Sequence, residues 1–162
     1  MHELLELSLR HMQGRLFELS VKKGFASVGF INTFMRSKCA AALDMDFNKL
    51  QWLGEAYIMA ELIDEAGDKL VPGEQYPKDA LFWAGYIYRY WHSHTGESSK
   101  DILKQAPAER VLLGYPYYHT VAEEIAIKDM KEETARRLAR KKRTDVVKGE
   151  FMADLIPAMR RR

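Results

Sequence analysis

The sequence of 162 residues is poor in cysteine and proline and has no long apolar run. The single cysteine, Cys39, excludes an internal disulfide and a cysteine-rich metal site, which is typical of a reducing compartment. No stretch approaches the roughly 18 apolar residues that a membrane span needs. The first residues also lack the basic and then apolar pattern of a secretory signal. We therefore expect a soluble, cytoplasmic protein that makes no contact with membranes.

Several sequence signatures of enzymes are missing as well. There is no Gly-x-Gly-x-x-Gly segment, no phosphate-loop lysine and no serine in a Gly-x-Ser-x-Gly setting. The sequence shows no internal repeat and no strand-like alternation of apolar and polar residues. These absences predict no cofactor and favour a non-enzymatic function.

The composition predicts one compact helical domain, since 47% of the residues are hydrophobic and 30% are charged. Apolar residues recur at helical spacing, beginning with a stripe that runs from Leu5 to Leu19. We predict an all-α fold of five to seven helices, built around the third helix and the aromatic fourth one. Gly24 and Gly96 are expected to end helices. The main predicted helices after the first cover residues 26–43, 48–66, 78–95, 98–105 and 107–113, with a break at 114–120.

The fourth helix contains the aromatic run from Phe82 to Trp91. Aromatic side chains beside an arginine can stack on the bases of single-stranded nucleic acids. These rings, however, are spread around most of the helix, which favours core packing with tyrosine hydroxyls that reach polar partners.

Charge divides the chain into an acidic body and a basic end. Residues 128–162 hold 12 Lys and Arg against 6 Asp and Glu, whereas residues 1–127 hold 13 against 17. We therefore predict a helical domain over 1–127 and an extended basic C-terminal arm over 128–162. Such a division favours docking of the arm onto an acidic surface, whether nucleic acid, a protein partner or a second copy in a homodimer.

We predict that a protein partner binds through the C-terminal arm or an adjoining groove, and the predicted binding residues lie in the arm. Its basic residues could contact phosphates, whereas its apolar residues could dock in the groove of a protein partner. Interleaved acidic residues dilute the positive charge, so a protein partner is the preferred interpretation. The predicted binding residues are Arg136, Arg137, Arg140, Lys141, Lys142, Arg143, Phe151, Met152, Leu155, Ile156 and Met159.

Arg89 and His94 form the one candidate catalytic pair. Their Arg-x4-His spacing resembles that of a family of all-helical ribonucleases, in which the pairs of two subunits meet at a dimer interface. An RNA-cleaving nuclease is therefore an alternative function. A five-residue separation places the two side chains about 140° apart on a regular helix, so a structural Arg89 paired with a carboxylate is preferred.

Other polar clusters are weaker candidates. His119 and Glu123 would share a helix face with the spacing of a metal pair, but no further ligands stand at a recognisable spacing, so no metal site is predicted. Cys39 lies on an apolar helix face, which indicates a buried thiol. An acidic ridge at the end of the third helix could receive a basic partner or the arm itself: Glu61, Asp64, Glu65 and Asp68.

Five segments carry a resemblance to a known group of proteins: 30–37, 51–57, 81–91, Thr95-Gly96-Glu97-Ser98 and Gln105-Ala106-Pro107. They resemble small all-helical bacterial proteins encoded near toxin–antitoxin and mobile-element genes. The resemblance covers roughly residues 1–127. It implies an antitoxin or adaptor role through protein binding and transfers no catalytic residue.

Overall fold

The computed structural model describes residues 2–160, with side chains for residues 2–155. Within this range the chain forms α-helices and no strand, apart from an isolated bridge between Phe25 and Pro72. No helix in the described range combines the length and apolar character needed to cross a bilayer. The helices are α1 (His2–Lys22), α2 (Ser27–Met35), α3 (Lys38–Leu43), α4 (Glu55–Ala66), α5 (Lys78–Thr95), α6 (Ser99–Gln105), α7 (Ala108–Tyr118) and α8 (Glu123–Arg160).

The all-α prediction is confirmed, but the described residues form eight α-helices instead of five to seven. One additional helix arises because the predicted helix 26–43 is divided at Ser37. The Ser37 hydroxyl donates to the carbonyl of Phe34 at 2.6 Å and accepts from the backbone N–H of Ala40 at 3.1 Å. It thus closes α2 and caps α3.

The predicted helix 48–66 is wrong in its first third. Lys49–Trp52 form a 3-10 helix, and Gly54 then takes a positive φ of 85° before α4 begins. Helical spacing places Trp52 on one apolar stripe with Ala56, Met59 and Ile63. Because the helix begins only after Gly54, Trp52 is instead 69% exposed and lies outside the core. Periodicity did not detect the glycine, which interrupts the helix in a conformation that other residues rarely adopt.

The predicted break at 114–120 is wrong for residues 114–118, because α7 continues to Tyr118 through Pro116, and it is correct for residues 119 and 120. The rings of Tyr115 and Tyr118 lie 5.9 Å and 6.5 Å from that of Trp83 on α5. This packing accounts for a helical turn that the glycine and proline content disfavours.

Local termination signals were predicted correctly. Gly24 and Gly96 have positive φ angles and follow α1 and α5 closely. The Ser98 side chain accepts from the N–H of Asp101 at 3.2 Å and caps α6. These short-range interactions require no tertiary information.

The core is organised around the packing of α1 against α5, the most extensive helix pair in the fold. The predicted stripe of α1 faces inward, with Leu9, Met12 and Leu16 buried. The main partner of the aromatic helix α5 is therefore α1. The predicted third helix, which corresponds to α4, lies beside α1 instead. Most of the fully buried aromatic side chains belong to this core: Phe17, Phe30, Phe34, Tyr88 and Trp91.

Glycine permits the close approach of α1 and α5. A Cβ atom at Gly85 would lie 2.4 Å from the carbonyl oxygen of Gln13 and 2.9 Å from the ring of Phe17. The first of these neighbours is helix backbone, which cannot rotate away. The helices must therefore separate if residue 85 carries a side chain.

We expect Gly85→Ala to lower the free energy of unfolding by about 1–3 kcal/mol, the usual cost of overpacking a core. Urea unfolding followed by circular dichroism measures the change. Gly29→Ala in α2 is the matched control, because a Cβ there would lie 4.0 Å from the Cβ of Ala26, an ordinary van der Waals contact. That variant should be neutral or stabilised by up to about 1 kcal/mol. Equal stability of the Gly85 variant and the wild type would contradict the proposed close contact.

Candidate functional site

Residues 135–155 of α8 are the largest part of the described structure without a packing partner. Ala126, Ile127 and Met130 near its start are buried in the core. Every residue of the range 135–155 is exposed. A helix whose residues are exposed on all sides receives no stabilisation from tertiary packing.

Polar contacts fix the first turns of α8 to the body. Arg110 donates to the Thr134 hydroxyl at 2.6 Å, and that hydroxyl donates to the carbonyl of Gln105. The phenol of Tyr90 donates to the Glu124 carboxylate, and this bond raises the pKa of Tyr90 to about 12. The start of α8 therefore has a defined position relative to α5, α6 and α7.

Glu97 is the centre of this attachment. Its carboxylate accepts from the indole N–H of Trp91 at 3.1 Å, from the Gln105 amide and from the Lys131 ammonium of α8. Partial burial raises the pKa of Glu97, but the hydrogen bonds with Lys131, Gln105 and Trp91 outweigh it and lower the pKa to about 2. One carboxylate thus joins α5, α6 and α8.

The predicted basic residues lie on the exposed part of α8. All six are exposed, and within the described range only Arg137 has an ion pair, to Glu133 at 2.7 Å on the preceding turn. The remaining five have no carboxylate partner among residues 2–155: Arg136, Arg140, Lys141, Lys142 and Arg143.

Apolar residues form a stripe farther along the same helix. Val147, Phe151 and Leu155 recur at intervals of four, and these side chains are 63%, 63% and 38% exposed. Met152, which is 52% exposed, widens the stripe. The predicted residues Ile156 and Met159 lie outside the described side chains.

Arg89, the first member of the candidate catalytic pair, lies in a buried network. Its Nε donates to Gln13 at 2.9 Å, its Nη1 to Asp44 at 2.8 Å and its Nη2 to Ser99 at 3.4 Å. Burial lowers the pKa of Arg89, and the Asp44 carboxylate opposes this effect. These partners correspond to the structural role that the sequence favoured.

His94 does not enter this network. It is exposed, and its ring lies 6.0 Å from that of Tyr90 on the preceding turn. The structure therefore does not bring Arg89 and His94 together within the chain, because the guanidinium of Arg89 is buried and the imidazole of His94 is exposed.

The other histidines form no metal centre with their neighbours. The His119 ring stacks on Tyr115 at 4.4 Å, while His92 Nδ1 lies 2.7 Å from the carbonyl oxygen of Glu97. Among the residues that the structure describes, no group of three or more His, Cys, Asp or Glu side chains is placed to hold a metal ion.

Cys39 is buried, and its thiol lies 3.6 Å from the Glu65 carboxylate. Burial, followed by the negative charge and hydrogen bond of Glu65, raises the pKa of Cys39 to about 12. The thiol therefore stays protonated at neutral pH and has little nucleophilic character.

The acidic ridge of α4 is exposed at Glu61, Asp64, Glu65 and Asp68. Only Glu65 has a structural partner among the described residues, since its carboxylate accepts from the N–H of Lys38 at 2.9 Å. The other three carboxylates leave a negatively charged surface on the body.

Sequence reasoning missed an apolar groove beside the start of α1. The groove has a volume of about 560 Å³ and is lined by His2, Leu4, Leu5, Ser8, Phe47 and Trp52. Leu4, Phe47 and Trp52 are 71%, 87% and 69% exposed. Gly54 was the available signal, because a helix that begins after it leaves Trp52 outside the core.

Comparison of the chain with protein-family models, curated proteins and solved structures finds no match.

We expect Glu97→Gln to remove part of the pH dependence of stability. The carboxylate has a lower pKa in the folded state than its ordinary value of 4.5, so it stabilises the fold above about pH 4.5. This contribution is lost as the pH falls from about 4.5 towards 2. The free energy of unfolding is measured with urea at pH 6, 4 and 3 for the wild type and for Glu97→Gln. The difference between the two proteins should become smaller as the pH is lowered. A constant difference would contradict the proposed role of the charge.

Proposed function

We propose that the protein is a non-enzymatic interaction module that binds a protein partner through its C-terminal arm, residues 128–162. The observation that carries this proposal is the exposed apolar stripe of Val147, Phe151 and Leu155 on α8. Exposed apolar residues at helical spacing are typical of helices that dock in the groove of another protein.

The charge of the arm specifies the partner further. Arg140, Lys141, Lys142 and Arg143 precede the stripe by one to four turns and are free of ion pairs within the described residues. A partner that fits has an apolar groove with carboxylates beyond one end. The apolar contacts would supply affinity, and the cations would orient the helix and accelerate association.

The resemblance to helical bacterial proteins encoded near toxin–antitoxin genes supports an antitoxin or adaptor role. In this role the arm would block the activity of its partner or recruit the partner to another protein. The body, residues 1–127, would hold the start of α8 in place through Glu97, which binds Lys131, and through the carbonyl of Gln105, which binds Thr134.

Phe151→Asp should weaken partner binding at least tenfold, because burial of a phenylalanine contributes about 1.5–3 kcal/mol. The partner is first captured from cell extract with the wild-type chain and then purified. Its affinity for each variant is measured by isothermal titration calorimetry. Phe151 and the exposed segment around it have no packing partner, so the body should remain folded.

Val146→Asp is the matched control for this experiment. Val146 is also exposed on α8, but it lies about 180° around the helix from Leu155 and 140° from Phe151. It should bind as the wild type does. Equal binding by all three proteins would refute docking through the stripe. Binding to RNA or duplex DNA that falls steeply with salt and ignores Phe151→Asp would favour a nucleic-acid partner instead.

A second copy of the chain is a specific candidate for the partner, and the apolar groove favours it. Trp52 and Leu53 precede α4, the acidic residues Glu61 and Asp64 lie on α4, and Asp68 lies in the 3-10 helix that follows it. This order, apolar and then acidic, is the reverse of the order on α8, which runs from basic to apolar. The arm of one copy could therefore lie antiparallel on α4 of another.

Trp52→Ala should lower the population of dimer at a fixed concentration, with the same direction of effect as Phe151→Asp. Sedimentation equilibrium in low salt measures both. The control is Leu113→Ala, since Leu113 is 63% exposed on α7 and does not line the groove. A wild type that remains monomeric at high concentration would eliminate self-association and leave binding to a different protein intact.

A further inference from the structure

A second cavity lies on the body, with a lining different from that of the apolar groove. It has a volume of about 460 Å³ and is bounded by residues of α1, α5, α7 and the start of α8. Four aromatic rings contribute to it: Phe82, Trp83, Tyr86 and Tyr115. A cavity of this size can hold a small organic ligand.

The rings are arranged in two groups. Phe82 and Tyr86 are one helical turn apart on α5, with ring centroids 6.5 Å apart and planes inclined by 23°. Trp83 and Tyr115 form the second group, 5.9 Å apart with planes inclined by 56°. All four side chains are half-buried, so their remaining exposed surface is available to a ligand.

Three carboxylates from three different helices line the same cavity. They are Glu18 of α1, Asp79 in the first turn of α5 and Glu123, the first residue of α8. Within the described residues, none of the three takes part in a salt bridge or a side-chain hydrogen bond. The lining contains no lysine or arginine that would neutralise them, and its remaining ionisable side chain is His119, which stacks on Tyr115.

Aromatic faces and negative charge attract the same kind of ligand. The face of an aromatic ring is electron-rich and binds cations, and this attraction is larger for alkylated ammonium ions because they lose little hydration energy. Carboxylates at the edge of the site add a long-range attraction. An anionic ligand would be repelled, and a neutral one would gain nothing from the three charges.

We propose that this cavity is a binding site for a quaternary ammonium ion. The trimethylammonium group lies against the faces of Trp83 and Tyr86, and Glu18, Asp79 and Glu123 balance its charge. The site is separate from the apolar stripe of α8, so it does not depend on the proposed partner binding.

Choline is the probe that tests the proposal, with 3,3-dimethyl-1-butanol as its neutral analogue of nearly the same shape. Binding is followed by two-dimensional NMR of the full-length protein, through the indole N–H signal of Trp83. We expect saturable binding of choline in the millimolar range and at least tenfold weaker binding of the neutral analogue. No saturable shift with choline, or equal binding of both compounds, overturns the proposal.

Two variants separate the charge from the rings. The triple variant Glu18→Gln, Asp79→Asn, Glu123→Gln should bind choline at least tenfold more weakly, whereas Glu109→Gln, an exposed carboxylate of α7 outside the cavity, should bind normally. Tyr86→Leu keeps apolar volume but removes one ring face, and it should also weaken binding severalfold. Unchanged affinity in both the triple variant and Tyr86→Leu places choline elsewhere and refutes the site.

The source of the ammonium group is distinguished by a third comparison. A short peptide that contains trimethyllysine and the same peptide with unmodified lysine are titrated alongside free choline. Tighter binding of the trimethylated peptide than of choline assigns the site to a modified protein. Tighter binding of choline assigns it to a small metabolite, and either result supports recognition of the quaternary group.

Discussion

The structure depends on one buried set of polar contacts between α1 and α5. The Gln13 amide donates to the carbonyl of Gly85 at 3.0 Å and accepts from the Arg89 guanidinium, which also binds Asp44. Buried polar groups without partners are costly, so this set is satisfied only when the two helices are in one register. Burial of the apolar core drives the two helices together, and the polar contacts determine the register in which they pack.

Much of the fold could be predicted from the sequence because its signals are local. The stripe of α1, the positive φ of Gly96 and the cap at Ser98 depend on residues within one or two turns. The failures at Gly54 and Pro116 arise from tertiary context: exposed aromatic residues such as Trp52 match a core pattern, and Trp83 stabilises a turn that its composition disfavours. Periodicity alone cannot detect which apolar residues find a partner.

The two candidate sites also differ in how far the sequence alone predicts them. The cations and apolar residues of α8 are contiguous in the sequence, so Phe151 could be identified without a structure. The aromatic cavity could not, because Glu18 and Glu123 are brought together only by the packing of both α1 and α8 against α5. Side chains that the sequence assigns to the core, such as Tyr86, retain part of their surface exposed. Arg89 illustrates the opposite case, in which a candidate catalytic group is fully used by the fold.

The separation in sequence between Gln13 and Arg89 also has a consequence during synthesis of the chain. α1 leaves the ribosome before its packing partner α5, which ends at Thr95, 73 residues after Lys22. At usual translation rates the buried face of α1 stays without that complete partner for roughly 4–15 s. Over this interval Leu9, Met12 and Leu16 are available to chaperones. The basic segment of α8 emerges later than helices α1 to α7.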